Sequence, residues 1–142
     1  MKRISLLPTL ALLGLLLTAP AVQASPPTSP FAGTWYGHDP APDSSLLQLD
    51  VSGGARAQIV FTDYFGSICV NVGSPDTVFT AKLLGTVSGD TLDATWISAR
   101  CGPVYLPFIK GGTLSFGYSD SGTSAPSDDT LFDGFTTWTR VP

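Results

Sequence analysis

The chain has 142 residues, seven basic and eleven acidic side chains, and a formal net charge of -4. That length holds one domain with a real core, and the acidic balance leaves nucleic acid and anionic membrane surfaces as poor partners, since both need clustered Lys and Arg. Every acid is Asp, none is Glu, and 15 Gly and 12 Pro accompany them, a composition that favours turns over helices and predicts an all-β protein.

The first residues read as an address. Lys2 and Arg3 precede a leucine-rich apolar run from Ile4 to Leu17, and Val22-Gln23-Ala24 supplies a small-x-small site for a signal peptidase. Residues 1–24 are therefore read as a signal peptide, with Ser25 as the mature start; Ala19-Pro20-Ala21 is the less favoured cut because a proline lies inside it. The run falls short of the ~20 apolar residues that cross a bilayer, and no second long apolar stretch comes after it, so no membrane span is expected. No Cys lies near the cut to carry a lipid. The expected destination is the periplasm or the extracellular medium. Residues 25–30 form a Pro-rich leader expected to be extended and poorly packed, and residues 31–142 are expected to be a single β-barrel domain.

Beyond Phe31, short runs of β-branched and aromatic residues alternate with turn clusters, which predicts strands over 33–38, 46–52, 55–64, 67–71, 78–87, 91–100, 104–110, 113–118 and 135–141. Gly53-Gly54 separates the alternating face Leu47/Leu49/Val51 from Ala57/Ile59/Phe61, a hairpin signal. Ser88-Gly89-Asp90 and Gly111-Gly112 repeat it. Consecutive hairpins give an antiparallel up-and-down meander of about eight or nine strands, and closure into a barrel removes its edges. In an oxidising compartment Cys69 and Cys101 are expected to form a disulfide, contributing about 3–4 kcal/mol by restricting the unfolded chain.

Catalytic chemistry finds little support. His38 is the one histidine, and beside Asp39 at a strand end it reads as a surface residue, so His-rich metal sites and Ser-His-Asp arrangements rest on it alone. Gly117-Tyr118-Ser119-Asp120-Ser121 lacks the second glycine of a nucleophile elbow. Asp128, Asp129 and Asp133 lack the spacing of a calcium loop and read as a solvated acidic turn. No carboxylate pair stands out for glycoside hydrolysis. No catalytic residue, metal ligand or cofactor is assigned, and the chain is expected not to be an enzyme.

Phe31-Ala32-Gly33-Thr34-Trp35 resembles the F-x-G-T-W first strand of the calycin group, which includes lipocalins, fatty-acid-binding proteins and avidins. The resemblance implies that Gly33 and Trp35 belong to a structural signature, and that Arg140, in Thr137-Trp138-Thr139-Arg140-Val141, packs across the Trp35 indole as that group's last-strand basic residue does. It also implies a barrel that holds a small apolar ligand. The chain departs from fatty-acid-binding proteins, whose two-helix lid has no room in residues 39–45. It departs from lipocalins in having no helix segment between the last strand and Pro142. From avidins it departs in carrying Gly37 where they place a biotin-contacting Asn, so biotin binding is not expected.

Trp35, Phe61, Trp96 and Phe116 alternate as interior residues should. Two stretches break the alternation. Val104-Tyr105-Leu106-Pro107-Phe108-Ile109 is apolar on both faces, with Pro107 restricting it to an edge or bulge. Tyr64-Phe65-Gly66 puts two aromatics at a hairpin tip. Tyr64, Phe65, Trp96, Tyr105 and Phe108 are thus the candidate ligand- or partner-binding residues. The leading expectation is an exported lipocalin-like barrel for a small apolar ligand. The alternatives are a filled barrel that binds an extracytoplasmic protein, such as a hydrolase it inhibits, and a structural domain of the cell envelope.

Overall fold

The computed structural model describes residues 29–40, 44–123 and 125–142. The signal-peptide reading and residues 25–28 of the leader lie outside the described residues. Among the described residues, alternation of apolar and polar side chains builds nine antiparallel strands: β1 (Gly33–His38), β2 (Leu46–Gly53), β3 (Arg56–Asp63), β4 (Phe79–Ser88), β5 (Thr91–Cys101), β6 (Val104–Tyr105), β7 (Thr113–Ser119), β8 (Thr130–Phe132) and β9 (Thr137–Arg140). Eight of them close a ring in the order β1-β2-β3-β4-β5-β7-β8-β9, with β9 returning to β1 through Trp35↔Arg140 and Tyr36↔Thr139. Short β6 pairs with the far end of β5. The sequence expectation of a closed meander barrel therefore holds.

Each strand's inward residues fill the ring. Leu49, Ile59, Leu83, Leu92, Phe116 and Leu131 are almost fully buried, and each contributes about 1.5–3 kcal/mol by leaving water. The turns are set by backbone chemistry. Gly89, in the β4–β5 turn, has φ +57 and so uses a conformation that side chains disfavour. Gly37 is needed for space: a Cβ there would lie 2.6 Å from Thr136 Cγ2 and 3.1 Å from the Trp138 ring.

A bulge in β5 decides where the disulfide goes. Lys82 pairs with Ser98 and Leu83 with Trp96, which leaves Ile97 without a partner across β4. Before the bulge Leu92 and Ala94 are buried; after it the parity changes and Ala99 and Cys101 are buried. Cys101 is thereby turned toward Cys69, with the Cα atoms 5.4 Å apart, and the expected disulfide forms across a separation of 32 residues.

Three expectations are corrected. Residues 67–71 form a short helix, α1 (Ser67–Asn71), rather than a strand. This segment joins β3 to β4 and pairs with no strand, so its backbone groups are satisfied locally. Cys69 N–H donates to Gly66 O, and Ser74 N–H to Cys69 O. Residues 104–110 are a strand only at Val104–Tyr105; Pro107 then opens a 3-10 turn over Pro107–Ile109, having no N–H to continue a ladder. Finally, Thr130–Phe132, read from sequence as part of an acidic turn, is strand β8, and Leu131 is fully buried.

The end of the leader is also packed. Ser29 is buried, accepts a hydrogen bond from Phe31 N–H through its Oγ, and accepts another from Ala32 N–H through its carbonyl. Residues 29–32 thus form a tight turn beneath the barrel.

Candidate functional site

The two ends of the barrel are finished differently. At the end where β1 begins, Phe31 and Trp35 are fully buried, and Trp35 Nε1 donates to Phe31 O at 2.9 Å. Arg140 Cζ lies 4.3 Å from the Trp35 ring centroid, so the cation packs across the indole as the first- and last-strand signature implied. Arg140 also donates to Ala32 O at 2.7 Å and to Pro30 O, and sits 3.8 Å from Asp129. Tyr118 stacks edge-on to Trp35 and donates to Asp129 Oδ2 at 2.8 Å. Its phenol is pushed up to about 12, chiefly by burial, then by the hydrogen bond to Asp129 and the negative charge of Asp129 and Asp120. This end is closed.

The opposite end opens into a hollow of about 390 Å³. Leu47, Phe61, Trp96, Leu114 and Trp138 form its apolar wall. Phe61 stands edge-on to both indoles, with centroids 5.7 Å from Trp96 and 6.0 Å from Trp138 and interplanar angles of 72° and 71°. Trp138 is buried at the base, whereas Phe61, Trp96 and Leu114 are only partly buried. The rim is Asp39, Pro40 and the β8–β9 connection with Asp133, Phe135 and Thr136. Phe135 is 80% exposed, the highest value among the large apolar residues described.

Asp133 organises that rim. Its Oδ1 accepts from Phe135 N–H at 2.9 Å and Thr136 N–H at 2.7 Å, and its Oδ2 accepts from Trp138 Nε1 at 3.1 Å. One carboxylate therefore fixes both the turn and an indole of the hollow. Thr136 Oγ1 donates to His38 O at 3.3 Å, tying the turn to β1. His38 itself is exposed and contacts Ser44 O through Nδ1 at 3.4 Å, the surface position expected for it.

Of the sequence candidates, only Trp96 lines the hollow. Tyr64 and Phe65 come after β3 on the outside; Tyr64 Oη donates to Gln48 Oε1 at 2.7 Å, and Phe65 is 50% exposed. Tyr105 and Phe108 lie in and beyond β6, with exposures of 52% and 66%. No ring contact joins the two pairs among the described residues. Sequence reasoning places Phe61 in the interior without a site role and does not single out Trp138, Asp133 or Phe135 as site residues. The alternation Trp138/Arg140 marks Trp138 as inward, but the placing of Asp133 and Phe135 beside it depends on β8, a segment that reads as a turn in the sequence.

A second groove of about 680 Å³ runs along β4, β5 and β7, among Leu84, Thr86, Asp93, Thr113 and Ser115, and shares Leu114, Asp133 and Phe135 with the hollow. Asp93 is engaged there by Ser115 Oγ at 2.6 Å. Its walls carry more hydroxyl and other polar groups than those of the hollow. Among the described residues no helix is long and apolar enough to cross a membrane, and no cluster of three or more His, Cys, Asp or Glu could hold a metal ion. Comparison with known protein families, curated proteins and solved structures finds no match.

Proposed function

We propose that this chain is an exported, calycin-like barrel that binds one small, flat apolar ligand in the aromatic hollow. The observation that carries the reading is the incomplete burial of Phe61 and Trp96 in the hollow at the open end of an otherwise filled barrel. Ordinary core packing covers such rings. A hollow of about 390 Å³ falls in the range that takes a small ligand, and its apolar wall with a few polar groups at the rim is the usual composition of such sites. The filled middle of the barrel limits the ligand to the mouth, in contrast to a lipid threaded along the axis. Binding rather than catalysis is the better reading because Asp133 and Thr136 are engaged in holding the rim. Export is supported by the disulfide, which belongs to an oxidising compartment.

The test is a fluorescence titration with N-phenylnaphthylamine, a neutral apolar dye. One molecule should bind per chain, and Trp96→Ala should weaken it by about tenfold or more, since an indole contact and its buried area are lost. Equal affinity in Trp96→Ala would count heavily against the hollow.

A second reading, docking to an extracytoplasmic protein, is favoured by the exposed apolar run on the β3–β4 connection: Tyr64, Phe65, Val70 and Val72 are 45%, 50%, 55% and 39% exposed. A Phe65→Ala and Phe108→Ala double variant that still binds the dye but no longer captures a native partner would support it.

A further inference from the structure

We infer that the ligand of the hollow is an organic cation, an ammonium group attached to a flat apolar body; this rests on the reading of the hollow as a ligand site. The charged residues of the lining are Asp39 and Asp133, and neither Lys nor Arg contributes to it. The hydrogen bonds that Asp133 accepts, from two backbone N–H groups and the Trp138 indole, come from neutral donors. They fix the carboxylate at the rim without cancelling its charge. Beside it, Phe61 and Trp96 are partly buried, and Phe61 stands nearly perpendicular to both indoles. Ring faces and a carboxylate both attract a cation, and both repel an anion.

The same protein displays this chemistry at its closed end, from its own side chains. There a guanidinium, Arg140, lies over an indole, Trp35, with the carboxylate of Asp129 behind it. At the open end indoles and a carboxylate are again adjacent, and the cation would come with the ligand. A fatty acid or other carboxylate would meet the Asp133 carboxylate at the rim and be disfavoured.

The experiment is calorimetric titration of the whole protein with three probes of one shape: naphthylmethylammonium, naphthylmethanol and naphthoate. The ammonium should bind about tenfold more tightly than the alcohol, a difference typical of one favourable cation contact, and naphthoate should be the weakest. Added salt should erode the ammonium's advantage while leaving the alcohol unchanged. Asp133→Asn should bring ammonium and alcohol together; because an amide could oppose the Trp138 Nε1–H and loosen the turn, the salt dependence in the unmutated protein provides an independent readout. Alcohol binding as tightly as ammonium, at low and high salt alike, would overturn the cation inference and leave the hollow intact as a site. No binding by any of the three would overturn the hollow itself, and the inference with it.

Discussion

Trp35 and Trp96 are the same residue type on inward positions of the same barrel, and they are treated in opposite ways. Trp35 is fully buried, hydrogen-bonded through Nε1 and covered by Arg140. Trp96 is partly buried beside Phe61 and lines a hollow. The difference comes from the segments that finish each end of the barrel. At the closed end residues 29–32 fold beneath the barrel and offer carbonyls to Arg140. At the open end β5 runs past its pairing with β7, which stops at Thr95↔Thr113, and the β8–β9 connection stands at the rim. Aromatic residues thus stabilise one end and remain available at the other.

The comparison is broken most directly by truncating each indole. Trp35→Ala should cost about 3–5 kcal/mol of stability, as deletion of a fully buried large side chain does; Trp96→Ala should cost about 1–2 kcal/mol, because less of its surface leaves water on folding. Urea unfolding of the two variants measures both, and equal losses would erase the distinction between the ends. Gly37→Ala comes next. Its Cβ would press on Thr136 and on Trp138 at the base of the hollow, with an expected loss of about 1–3 kcal/mol from overpacking and weaker dye binding measured in parallel.

The closed end also carries a pH signature. Burial, together with the contact to Asp129, pushes the Tyr118 phenol up to about 12 from its ordinary 10.0. A raised phenol favours the neutral form in the folded state, so its contribution to stability is complete below pH 10 and is lost as pH rises from 10 through about 12. Ultraviolet titration of tyrosinate should find one late-ionising group that disappears in Tyr118→Phe. The smallest effect is expected outside both ends. Phe65→Ala removes an exposed ring, and should change stability by no more than about 0.5 kcal/mol and leave dye affinity unchanged.

Much of the fold was legible because the alternation and the hairpin signals are local. The strand predicted over 33–38 matches β1, and Gly53-Gly54 and Ser88-Gly89-Asp90 mark reversals between neighbouring strands; Gly111-Gly112 leads into β7 but closes no hairpin, because a 3-10 turn precedes it and β6 and β7 both pair with β5 instead of with each other. The disulfide could be anticipated from the cysteine count and compartment, and the Arg140–Trp35 contact from the resemblance carried by Phe31-Ala32-Gly33-Thr34-Trp35. The hidden features depend on distant partners. Ser67–Asn71 carries β-branched and apolar residues yet pairs with no strand, and it becomes α1. Thr130–Phe132 is only three residues long and comes directly after two Asp, so its character derives from β7 and β9 on either side. The hollow is hidden for the same reason. Trp96 stands out in the sequence, but its companions come from two other parts of the chain, Phe61 from β3 and Asp133 with Trp138 from the β8–β9 hairpin, and closure of the ring is what places them beside it.

The most direct test of the account tracks the indole N–H signals of the protein's three tryptophans by nuclear magnetic resonance during titration with N-phenylnaphthylamine. The account predicts that Trp96 and Trp138 shift together and saturate at one dye per chain, while Trp35, held against Phe31 O, stays in place. Movement of Trp35 with the other two still, or no movement of any of them at saturating dye, would contradict it.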